Sequence, residues 1–105
     1  MTKIWRFRPD AEREVDEAID WYEGEQDGLG QDFVRTLRAA VVHLQETPSE
    51  GGKLPGSPRD ADVRRYRLPR FPYVVLFVEV EDEYQVLAVA HLRRRPNYWR
   101  SRLKP

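Results

Sequence analysis

The chain has no cysteine, two histidines and one methionine among its 105 residues. Without thiols there is neither a disulfide framework nor a thiolate-bound metal. His43 and His91 alone are too small a set for a protein-built zinc centre, so no metal and no cofactor is expected. Long hydrophobic runs are missing too. The longest, such as Val74–Val78, fall far short of a bilayer span, and no membrane partner is expected. Met1–Phe7 lacks an apolar stretch ahead of a small-residue cleavage site, which points to the cytoplasm. There is no Gly-rich phosphate loop, no Ser/His/Asp order for hydrolysis and no internal repeat.

What remains is room for one domain, residues 1–105, with one core. Hydrophobic residues make up 40% and aromatics 11%, enough to pack and too much for disorder. The net charge is zero, but it divides unevenly. Residues 1–58 hold 7 Lys/Arg against 12 Asp/Glu, and residues 59–105 hold 11 against 6. A basic second half calls for an anionic surface or partner, unless both halves are ordinary solvated faces.

The periodicity changes along the chain. Trp5 and Phe7 alternate with Ile4, Arg6 and Arg8, a short strand with one apolar face. Pro9 suits the first turn of a helix, where a missing N–H costs nothing. Ala11, Val15, Ala18, Ile19 and Tyr22 then form one apolar stripe opposite Asp10, Glu12, Asp16, Glu17, Asp20 and Glu23. The nine carboxylates from Asp10 to Asp27 read as a solvated helix face before they read as a metal or catalytic cluster. Gly24, Gly28 and Gly30 mark a tight link to a second helix with the stripe Phe33, Leu37, Ala40, Val41 and Leu44. Val34 and Val42 lie off that stripe and are free to face a partner.

Pro48 stops the second helix, and Glu50–Arg59 is a loop by composition. From Val63 to Leu68 the period is two, with arginines on both faces. Leu68–Pro72 is a turn, Tyr73–Val80 a strand buried on both faces, Glu81–Glu83 a hairpin turn and Tyr84–Leu92 a further central strand. The expected fold is α+β, in the order β-α-α-β-β-β, with an antiparallel meander and both helices on one face of the sheet.

Chemistry gathers at the C-terminal end. Arg93–Lys104 carries six cations and no acid. Phosphates need cations, and unpaired bases stack on aromatic rings such as Tyr98 and Trp99. The competing reading is a solvated basic tail anchored by those two rings. His91 is the candidate proton acceptor near this edge, with Arg65 or Arg93 to balance charge on phosphorus. A lone histidine also serves in packing or hydrogen bonding, and His43 is expected to be structural.

Four stretches, taken in order, are similar to RelE/ParE toxins, the plasmid-stabilisation-type proteins. They are Pro9–Val15 with Ile19–Tyr22, then Gly28–Phe33, then Val63–Leu68 with Phe71–Phe77, and last Val86–His91 with Arg93, Arg94, Tyr98 and Trp99. The resemblance spans nearly the whole chain. It implies the small RelE-like fold and a growth-arresting toxin of a type II toxin–antitoxin system, held in a hetero-oligomer with its cognate antitoxin. It leaves two targets, mRNA on the ribosome or DNA gyrase, beside an orphan, non-toxic RNA-binding domain of the same fold.

As a metal-independent endoribonuclease the chain would use His91, Arg65, Arg67, Arg93 and Tyr98, the arginines and the tyrosine matching family positions. Arg64, Arg94, Arg95, Trp99, Arg100 and Arg102 would contact nucleic acid or another target. Val74 stands where RelE-type nucleases carry an arginine, which argues against cleavage.

Overall fold

A computed structural model describes residues 4–55 and 61–103. Strand β1 (Ile4–Phe7) leads into helix α1 (Pro9–Glu25) and helix α2 (Leu29–Glu46). A 3-10 turn (Pro48–Glu50) precedes β2 (Gly52–Lys53), β3 (Arg64–Arg67), β4 (Tyr73–Val80) and β5 (Glu83–His91). A second 3-10 turn (Arg100–Leu103) follows.

The helix boundaries have local causes. Arg8 is extended, Pro9 opens α1, and Asp10 and Glu12 stand in its first turn near the positive end of the helix dipole. Gly28 precedes α2 with φ 88°, a backbone conformation open to glycine at little cost. Its position has no side-chain cap. Glu23 supplies one from α1: its carboxylate accepts the N–H of Gly28 at 2.9 Å and of Gly30 at 3.0 Å. The end of one helix thus satisfies the open amides of the next.

The five strands lie in the order β1-β5-β4-β3-β2. β2, β3, β4 and β5 form the expected antiparallel meander, but β1 runs parallel to β5, from Ile4 opposite Glu83 to Phe7 opposite Val86. The sheet is therefore mixed. The chain enters the meander at β2 running opposite to β1, and the three antiparallel pairings that follow bring β5 back parallel to it. β2 is a further difference. It lies in the stretch read as loop, where Gly52 and Lys53 pair with Arg65 and Arg64. The Gly56–Arg59 part of that loop lies outside the described residues.

Two apolar clusters flank the sheet. Phe33, Leu37, Leu44, Phe71, Val75, Phe77, Val86 and Val89 form the larger one with both helices. Val63, Val74, Leu76, Val78, Leu87, Ala88, Ala90 and Trp99 form the other, on the opposite face. β4 is buried on both sides because helices cover one face and the C-terminal segment covers the other. No described helix is long and apolar enough to cross a membrane.

Candidate functional site

Cross-strand register decides where the arginines of β3 go. Arg65 pairs with Leu76 and Arg67 with Val74, and directly opposed residues share a face. Leu76 and Val74 belong to the cluster away from the helices, so both arginines stand on that face. Beyond β5 the chain doubles back over the same face: Leu92 donates to the Pro72 carbonyl at 2.9 Å and Arg94 to that of His91 at 3.0 Å. Trp99, 3% exposed, seals the segment against the sheet.

The result is an open cavity of about 240 Å³ whose wall includes Arg65, His91, Arg94, Arg95 and Tyr98 over a floor of Val74, Leu76 and Ala90. Cations on the wall over an apolar floor are the chemistry that an anionic or amphipathic partner would match. Arg67, Arg93 and Arg100 are exposed beside it. Arg65, Arg67, Arg93, Arg95 and Arg100 have no carboxylate partner among the described residues. Lys104 lies outside them.

Other sequence candidates are internally engaged. Arg64 points to the helix side, donating to the Gly51 carbonyl at 2.9 Å and lying 3.4 Å from Asp62. Trp99 is too buried to stack on a base. Arg102 is 12% exposed and meets the Glu14 carboxylate at 2.9 and 3.2 Å. Arg64 and Arg102 thus have partners within the fold, and Trp99 is packed into it.

The candidate acid–base groups are engaged as well. The His91 Nδ1 accepts the Arg93 backbone N–H at 3.0 Å. Nδ1 is then the lone-pair nitrogen, and Nε2 carries the hydrogen in the neutral ring. The Tyr98 hydroxyl donates to Glu14. Burial first, and then this bond, push its pKa far above the ordinary tyrosine range. Burial works against the charge on Arg102, but the Glu14 hydrogen bond and charge outweigh it and raise its pKa. No group of three or more metal-ligating side chains forms among the described residues.

Glu14 is the site residue that the sequence pattern did not single out. It sits on α1 three residues after Ala11 and four before Ala18, both buried. An acid at that spacing lies on the flank of the buried stripe, away from the solvated carboxylates.

A family model described as the ParE toxin of type II toxin–antitoxin systems, parDE, matches residues 5–96. The chain belongs to the ParE toxin family. The match takes in both helices, the meander and the turn that carries Arg93–Arg95. A solved chain of the chromosomal ParDE toxin–antitoxin system from P. aeruginosa has the same fold. It aligns with a TM-score of 0.69 over 86% of this ParE-type chain and 96% of that one, at 22% identity. No curated protein sequence matches this chain. It is a ParE-type toxin of a type II system, and such a system implies an antitoxin partner.

Proposed function

We propose that this ParE-type toxin arrests growth by binding DNA gyrase, not by cutting mRNA on the ribosome. The observation that carries the reading is the engagement of His91 Nδ1 by the Arg93 N–H. It leaves no free imidazole lone pair to take a proton from a ribose hydroxyl. Val74 supports the same conclusion: it lies in the cavity floor, 8% exposed, where a nuclease would need a cation against the phosphate. The exposed arginines suit a complex of protein with DNA, in which each phosphate contact releases counterions.

The antitoxin, in this reading, covers both the basic edge and the helical groove. That groove has a volume of about 400 Å³ and is lined by Phe7, Val15, Ile19, Val34 and Val41, with Glu12, Asp16 and Arg38 as its charged lining. An amphipathic segment that places apolar residues in the groove and a cation near Glu12 would fit it. Val34, off the apolar stripe of α2, lines this groove.

The test compares supercoiling by purified gyrase with mRNA cleavage in a translation extract, run side by side with the purified toxin. Loss of supercoiling with intact message is the expected outcome. Message cleavage abolished by His91→Ala would overturn it.

A further inference from the structure

We propose that Glu14 is a positioning residue for Arg94, acting through Tyr98. The proposal rests on the reading of the basic edge as the target-binding surface.

The need for Glu14 begins where β1 stops. β1 pairs with β5 as far as Phe7 opposite Val86, and Arg8 then donates its N–H to the Val86 carbonyl at 3.0 Å. Past that point no described strand runs along the outer edge of β5. Two side chains take its place. Glu14 Oε1 accepts the Val89 N–H at 3.0 Å, and Arg102 Nη1 donates to the Leu87 carbonyl at 2.9 Å. One supplies the acceptor and the other the donor that a neighbouring strand would have offered.

The same carboxylate reaches the far side of the segment. Its Oε1 also accepts Arg102 Nη1, and its Oε2 accepts Arg102 Nη2 and the Tyr98 hydroxyl. A carboxylate offers about four acceptor positions, and these donors fill them. Tyr98 is thereby fixed at its hydroxyl as well as along its backbone. The Arg94 guanidinium carbon lies 4.0 Å from the Tyr98 ring centroid, and that of Arg102 lies 5.0 Å from it. Arg94 makes no ion pair with a described carboxylate, although it shares a cavity with Glu14 and Glu17, and the contact that holds its guanidinium is the Tyr98 ring. Glu14 on the helix layer thus sets, through the Tyr98 ring, the direction of a cation at the edge where the helix side meets the basic cavity.

Orienting the guanidinium in advance removes part of the ordering cost of binding. The expected effect of releasing it is roughly a 2- to 10-fold loss of affinity.

Four variants of the full chain test this: Glu14→Gln, Tyr98→Phe, Arg94→Gln and the Glu14→Gln/Arg94→Gln double. Two measurements are made on each, the NMR order parameter of the Arg94 Nε–Hε group and the concentration that halves gyrase supercoiling. Glu14→Gln and Tyr98→Phe should lower the Arg94 order parameter while the circular dichroism stays native. Both should raise the inhibitory concentration by roughly 2- to 10-fold. Adding Glu14→Gln to Arg94→Gln should cost nothing further, because the two act through one group.

An unchanged Arg94 order parameter in the folded variants would overturn the proposal, and so would effects that multiply in the double variant. Should Glu14→Gln not fold, Tyr98→Phe keeps the ring and decides the matter alone. If the parent chain leaves gyrase untouched, the functional reading fails while the resonance of Arg94 still decides the positioning role.

Discussion

The His91 imidazole and the Arg93 backbone are joined by one hydrogen bond of 3.0 Å, with Nδ1 accepting. That bond shapes the turn that starts the basic segment. An asparagine side chain offers an oxygen at a similar reach, so His91→Asn should keep the turn. His91→Ala should lose about 0.5–1.5 kcal/mol, the usual net value of one such bond. Chemical denaturation would measure the difference. Both variants should still arrest growth, whereas a general base would tolerate neither.

The exposed cations should separate from the engaged ones. Replacing Arg93, Arg94 and Arg95 together with Gln removes charge at exposed positions. The protein should fold, bind its antitoxin more weakly and no longer stop growth. Its binding to a gyrase–DNA complex should also show a shallower dependence on salt, by about one contact for each phosphate lost. Arg64→Gln is the control. It should lower the melting temperature through loss of the Gly51 contact while leaving growth arrest intact.

Gly51 and Gly52 are adjacent but should respond differently to alanine. A Cβ on Gly51 would overlap the ring of Phe77, which is fully buried and cannot retreat into solvent. Gly51→Ala should therefore cost about 1–3 kcal/mol, the usual range for overpacking. A Cβ on Gly52 meets nothing within 4 Å. Its alanine variant should stay within about 0.5 kcal/mol of the parent, as for an ordinary surface change. Urea midpoints read both.

Stability should fall at high pH because of Tyr98. Its folded pKa is raised by burial and by the Glu14 bond, so the folded state keeps a proton that the unfolded state loses. The contribution is fully present below the ordinary tyrosine pKa, about 10, and declines as pH rises past it. Tyr73 and Tyr22 are raised too, chiefly by burial, and act in the same direction. Tyr98→Phe should flatten the stability curve between about pH 10 and 11. An equal slope in the variant would assign the effect to other groups.

The acid side has the opposite sign. The Arg35 hydrogen bond lowers the Asp32 pKa, and Arg70 adds to it. The contacts of Glu83 with Gln85 and Arg6 lower its pKa as well. Both contributions are present above the ordinary carboxylate range and disappear as pH falls through the lowered values. Asp32→Asn should reduce the loss of stability seen below about pH 4. Denaturant titrations at a series of pH values would show it.

Periodicity carried much of the architecture. Pro9 with the stripe from Ala11 to Tyr22 marked α1, and Phe33 to Leu44 marked α2, because a 3.6-residue repeat is a local property of the chain. The continuous apolar run of β4 marked a strand buried on both faces. The turn residues at Leu68–Pro72 and the basic segment after His91 were legible for the same reason.

Pairing was not. That β1 runs parallel beside β5 depends on how the chain re-enters the sheet after two helices, and β2 is two residues paired with β3. The state of each charge was equally hidden. Arg94 and Arg102 look alike in a run of cations, yet Arg102 lies against Glu14, 88 positions away in the chain. Arg64 and Arg65 are neighbours, but register turns one toward Gly51 and the other toward the cavity. Sequence by itself determined which segments are helical or extended and where cations are dense, since both follow from neighbours in the chain. Only the tertiary structure decided which cations are free, because a charge is neutralised by whatever folding brings within a few ångströms of it.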